Sequence, residues 1–243
     1  MQINPLKQFE IISFFEKDPL SRYGLEFTNS SLMMFILVLL FFSFSFIALR
    51  KTNLIPSRLQ VANETLFNIV EQSFSGLDCK IKKIFLPMIF TIFIFILLAN
   101  LLGNIPYSFT ITSHIIVTSI IAAFFFLVLT AIALINKGKQ FFKMFFPSDV
   151  PWWMMPLISM IEFFSYLSKP IVLCLRLTIN VVAGHIMIKI VASLMSFILI
   201  YFGIFMIPLL SILLCFEILV SVLQAYIFMI LSCTYIKDMF SMH

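Results

Sequence analysis

Hydrophobic runs broken by short polar intervals dominate this chain, and the lengths of the runs predict most of its elements. Ser31 to Leu49 is 19 residues without a charge. At about 1.5 Å per residue, that approaches the roughly 30 Å of a bilayer's hydrocarbon layer. Ile84 to Ile105, ended by Pro106, and Ile111 to Ile135, followed by Lys137, Lys139 and Lys143, are two further spans. Between the first and second lies a different pattern. Ser57-Arg58-Leu59-Gln60 reads as a capping box, and Leu59, Ala62, Leu66, Ile69, Val70 and Phe74 recur at helical spacing, with Asn63, Glu64, Asn68, Glu71 and Gln72 mostly elsewhere. This predicts an amphipathic helix over 57–76 lying on the membrane surface.

From Val150 the runs lengthen. Residues 150–195 are mostly apolar but hold Glu162, Lys169, Arg176 and Lys189, and residues 197–236 hold one charge, Glu217. Each would be on the order of 60 Å long as a helix, about twice what a perpendicular span needs, so both must tilt, bend or overhang. Pro170 and Pro208 offer places to bend. The expected architecture is an all-α single membrane domain: an N-terminal segment over 1–30, spans at 31–49, 84–105 and 111–136, the surface helix, and a long tilted hairpin.

Composition excludes the alternatives to a membrane protein. The chain has 243 residues, 62% hydrophobic and 11% charged, against roughly 45–50% and about 25% in soluble domains. Cys79, Cys174, Cys215 and Cys233 form no CxxC pair and read as reduced packing residues. The first apolar run starts too late for a signal peptide, and the acids before it do not fit a transit peptide. With the N-terminus outside, ten Lys and Arg fall in inner segments and three in outer ones. That bias favours five spans with the C-terminus inside.

The informative residues are ionisable groups inside apolar helices, each costing on the order of 2.5–3.5 kcal/mol at a helix centre. Lys169 and Lys189 fit snorkelling or a static ion pair. Arg176 is different, since a guanidinium keeps its proton in any protein environment. A hairpin turning near residues 200–203 would set Arg176 opposite Gln224, His185 opposite Glu217 and Glu162 opposite Asp238. Arg176 and Asn180 are four apart, and Glu217 and Gln224 seven apart, so each pair shares a helix face. Groups that exchange protons would then flank one that cannot, as a proton path with a fixed positive barrier requires.

The run Leu175-Arg176-Leu177-Thr178-Ile179-Asn180-Val181-Val182-Ala183-Gly184-His185 resembles the arginine helix of ATP synthase subunit a in its mitochondrial form. Further matches follow in the family's order: Asn4-Pro5-Leu6 with Gln8-Phe9-Glu10-Ile11, Asn100 to Thr110 with Thr112-Ser113-His114, Ile161-Glu162-Phe163, and Glu217 leading to Leu223-Gln224-Ala225-Tyr226-Ile227-Phe228. The resemblance implies that Arg176 is the essential arginine facing the ring of c subunits. Glu217 and His185 would belong to the half-channel from the intermembrane space, with Asn180 and Gln224 beside the arginine and Asn100 and His114 nearer the mouth. Glu162 and Asp238 would line the exit to the matrix. Ile179 departs from the small residue common in the family, which bears on how closely the helix approaches the ring.

It further implies a subunit of the mitochondrial inner membrane, N-terminus in the intermembrane space and C-terminus in the matrix. The partners would be the c-ring, the peripheral-stalk subunit b, small membrane subunits and lipid. No cofactor and no metal are expected, the proton being the translocated ion. Neither nucleic acid nor nucleotide is an expected ligand. The chain has no P-loop, so nucleotide chemistry would reside in other subunits and the isolated chain would catalyse nothing. A secondary proton-coupled transporter is the alternative; such proteins normally show internal repeats with broken helices in both halves, a symmetry absent from this sequence. An intramembrane metallohydrolase lacks a third ligand and an HExxH motif.

Overall fold

The computed structural model describes residues 28–49, 58–76, 79–105, 110–138, 141, 151 and 153–240. Expectations about residues 1–27, Ser57 of the capping box, residues 106–109, Lys139 and Lys143 lie outside these. The described elements are all helical: α1 Asn29–Leu49, α2 Arg58–Ser73, α3 Cys79–Gly103, α4 Ile115–Lys137 and α5 Met155–Phe240, with a 3-10 turn at Ile111–Ser113. Five stretches within them are long and apolar enough to cross a membrane.

Local chemistry sets the helix ends. The amide of Thr28 donates to Ser31 Oγ at 3.1 Å and the amide of Ser31 donates to Thr28 Oγ1 at 3.4 Å, a reciprocal cap on α1. α3 begins at Cys79, ahead of its apolar stretch, and Lys82 on its first turns pairs with Glu71 of α2 at 2.8 Å. The third span starts later than its hydropathy predicts. Residues 111–113 form the 3-10 turn and His114 is extended (φ −82°, ψ 113°), so the α-helix opens only at Ile115.

The core lies where α3 and α4 pack on α5. Phe85, Ile89, Phe93 and Ile96 of α3 and Ala122, Phe125, Leu129 and Ala133 of α4 are buried at three- and four-residue spacing. They meet Leu173, Leu177, Ala225, Phe228, Met229, Cys233 and Ile236 of α5, with the Phe125 and Phe228 rings 5.8 Å apart. α2 joins this core through Val70 and Phe74, and Phe67 meets Phe90 edge-on, whereas Ala62 and Ile69 of the predicted stripe are exposed. Helix α1 is exposed over most of its surface, with Leu37 fully buried. Apolar exposure of this extent suits lipid or neighbouring membrane helices.

Helical hydrogen bonding labels α5 as one element of 86 residues, which would be about 130 Å long if straight. It is instead folded back on itself. Asn180 donates to Gln224 at 2.8 Å across 44 residues of sequence, a separation of about 66 Å along a straight helix. The chain therefore reverses between a first arm, Met155–Leu194, and a second arm, Ile207–Met239.

The hairpin register holds at one level and drifts at the others. His185 lies against Glu217, as expected. Gln224 meets Asn180 rather than Arg176, and Asp238 meets Lys169 rather than Glu162. The two arms therefore do not keep a constant offset along the hairpin. The lysine stem also spans more than a turn of helix and brings its ammonium to Asp238 from a Cα well up the arm.

Candidate functional site

The polar residues of the two arms converge on one seam. His185 Nδ1 stands 3.6 Å from Glu217 Oε1, with both residues 8% exposed. That is beyond ordinary hydrogen-bond length, and Glu217 Oε1 has no hydrogen-bond partner among the described residues. Between one and two turns along, the Asn180 amide donates to Gln224, which is buried. Gly184 makes the approach of Glu217 possible: a β-carbon there would lie 2.7 Å from Glu217 Oε1. Lys189 is near enough to His185 for its charge to act on the imidazole.

Helix α3 closes the seam from behind. Asn100, only 1% exposed, donates through Nδ2 to the Ser221 carbonyl at 3.3 Å, and its Oδ1 has no partner among the described residues. The Asn104 amide donates to Ser221 Oγ at 3.0 Å, and that hydroxyl donates back to Asn104 Oδ1 at 3.3 Å. The backbone of Gly103 lies close enough to the His185 ring to act on it. On the other flank, α4 reaches the first arm through Thr118 and Thr178, whose hydroxyls are 2.6 Å apart.

A cavity of about 340 Å³ opens along this seam, lined by Asn100, Asn180, Glu217, Ser221 and Gln224 among apolar residues such as Val181, Met187 and Phe216. It has room for several water molecules, and the orphan oxygens of Asn100 and Glu217 supply partners for them. The cavity reaches Asn180 but not Arg176, which lies one turn, about 6 Å, further along the first arm.

Arg176 is half-buried and lies close enough to Tyr235 for its charge to act on that residue. Toward the same end, Lys169 pairs with Asp238 at 3.3 Å and caps the Tyr235 ring at 4.8 Å. Lys169 thus sits in the static ion pair that was one of its two expected fates. Glu162 is half-buried, seven residues earlier on the arm. His114 stands at the start of α4, outside the spans, where burial holds its imidazole below its usual pKa. It does not line the cavity.

Three contributors escaped sequence reasoning. Ser221 and Asn104 are small polar residues indistinguishable by type from surface ones, and only the packing of α3 on the second arm brings them together. Gly184 could have been noticed beside His185, but its role depends on where Glu217 falls. Outside the seam, the arms present an apolar surface. Ile171, Leu175 and Ile179 recur every four residues on the first arm, and Ile212, Phe216, Leu219, Leu223 and Tyr226 recur at alternating four and three on the second. Ile179 is 58% exposed.

An all-α multi-pass membrane protein with a buried seam of carboxylate, imidazole and amides beside an arginine belongs to the class that moves ions through a bilayer. The sequence profile of the ATP synthase A chain matches residues 31–237. The chain belongs to that family, which makes it a proton-translocating membrane subunit of ATP synthase, in a complex that includes the c-ring. The matched stretch holds every candidate site residue except Asp238.

Proposed function

We propose that this subunit provides two offset half-channels against the c-ring, with Arg176 between them, in a mitochondrial inner membrane whose intermembrane side holds the N-terminus. The observation that carries this reading is the largely apolar cavity, with Asn100, Asn180, Glu217, Ser221 and Gln224 in its wall, that reaches Asn180 and Gln224 but stops one turn short of Arg176. A proton taken up from the outer side passes the mouth near His114 and reaches Glu217 and His185, with Asn100 beyond them at the Ser221 level. From there it neutralises a carboxylate on a c subunit. A neutral carboxyl enters lipid at modest cost, whereas a charged one does not.

After nearly a full turn of the ring, that carboxyl loses its proton toward Glu162 and Asp238 on the inner side. Arg176 holds the ionised carboxylate between the two paths and, being permanently charged, bars a direct leak. The membrane potential supplies about 2.3 kcal/mol per charge per 100 mV. The exposed apolar stripes of the two arms, Ile179 included, are the surface offered to the ring. The ring is the specific partner; subunit b and small membrane subunits are proposed for the remaining apolar faces. No cofactor is required, since the chemistry is proton transfer between side chains, water and the ring.

Sided labelling tests the reading. In a background without the four native cysteines and with the ring locked, cysteines at 217 and 162 are expected to react with polar thiol reagents from opposite sides, and one at 176 to react poorly from either. Equal labelling of both from one side would mean a continuous pore, which would short-circuit the potential and overturn the scheme.

A further inference from the structure

Burial of apolar surface is not directional, so the register of two packed apolar helices leans on their few polar contacts; between the arms, Asn180 and Gln224 supply one such contact, on the far side of Ser221 from Glu217. A slide of one residue moves a side chain about 1.5 Å along the axis and turns it about 100° away from its partner. The His185–Glu217 separation of 3.6 Å leaves no margin for this: a displacement near 1 Å is enough to impair transfer between two groups.

The last turn of α3 touches both arms at this level. Gly103 meets His185 of the first arm through its backbone, and Asn104 and Ser221 exchange two hydrogen bonds with the second. Ser221 sits one turn from Glu217 on the same face and lines the same cavity. Asn100 holds the Ser221 carbonyl, so backbone and side chain of one residue are both gripped. Such a contact fixes translation and rotation together, as an apolar contact does not.

We propose that Asn104 and Ser221 are positioning residues for proton transfer, a clamp from the end of α3 that sets the register of the second arm and with it the placement of Glu217 against His185. They act through Glu217 and do not themselves carry the proton. The charges that bear on His185 at this level are those of Glu217 and Lys189; the α3 turn contributes neutral groups alone, so its effect is geometric. The inference rests on the reading of Glu217 and His185 as the uptake relay.

The test uses the whole complex in vesicles, with proton-driven ATP synthesis normalised to assembled complex and measured against uptake-side proton concentration at constant potential. Ser221→Ala and Asn104→Leu are each expected to change the half-saturating proton concentration about threefold to tenfold, the factor carried by one hydrogen bond of ordinary net strength. The double variant should do no more than the stronger single one, because both cut the same contact. Ser221→Thr, which keeps the hydroxyl, should restore wild-type behaviour. Asn104→Leu approaches the contact from α3 and serves if Ser221→Ala fails to assemble.

A merely structural contact would lower the amount of complex and leave the half-saturating concentration unchanged; that result, or multiplicative effects in the double variant, would overturn the clamp. Glu217→Gln is the control. Loss of synthesis there with normal behaviour at positions 104 and 221 removes the clamp and leaves the relay, whereas retained synthesis removes the relay and the clamp together.

Discussion

Glu217 folds its carboxylate over Gly184 so closely that a β-carbon on the glycine would lie 2.7 Å from Oε1, 3.2 Å from Cδ and 3.3 Å from Cγ. The glycine is needed for that space, since its φ is not in the left-handed region. Gly184→Ala should therefore drive the carboxylate away from His185. Overpacking of this kind costs about 1–3 kcal/mol, and we expect proton flux per assembled complex to fall roughly tenfold. Unchanged flux at normal assembly would show that Glu217 works from another rotamer.

Arg176→Lys keeps a positive charge and should still abolish coupled ATP synthesis. A lysine can lose its proton when desolvated, and it lacks the planar fork that receives a carboxylate in two parallel hydrogen bonds. The measurement is proton-driven synthesis in vesicles, with assembly quantified separately because a missing complex gives the same phenotype. Wild-type synthesis would refute the barrier role.

Helix α2 should contribute nothing to the proton path. Glu71 pairs with Lys82 of α3, and Glu64 accepts from Gln60 within its own helix; neither carboxylate faces the seam. Replacing both with Gln removes one partly exposed ion pair, worth about 0–1 kcal/mol, and should leave flux per complex nearly unchanged. A large loss at normal assembly would move the path to this side of the molecule.

His114 gives the assembly a pH dependence of predictable sign. Burial lowers its pKa in the folded chain, so near the ordinary value of about 6.5 the unfolded chain binds more protons. Its contribution is fully present above that value and is lost as pH falls through the lower folded pKa. Thermal inactivation of the purified complex should therefore quicken below about pH 6.5, and His114→Gln should flatten that part of the profile. Equal slopes in the two proteins would mean that His114 is hydrated in both states.

The sequence by itself determined the membrane class and the five apolar stretches, because crossing hydrocarbon imposes lengths and excludes charges without reference to any partner element, and its helical periodicity marked the helix at Arg58–Ser73. It also marked Arg176, His185 and Glu217, since ionisable groups are conspicuous where desolvation makes them costly. The start of α4 was less legible: the extended backbone at His114 delays the helix, and hydropathy does not register a bend. The sequence also set His185 opposite Glu217, whereas tertiary structure decided the other pairings between the arms. Asn180 rather than Arg176 meets Gln224, and Lys169 rather than Glu162 meets Asp238, because register depends on how the arms pack and how far a side chain reaches. The cavity, the space over Gly184 and the Asn104–Ser221 contact follow from the same cause. Each is a relation between residues distant in sequence, fixed by packing forces that no local pattern of hydrophobic and polar positions encodes.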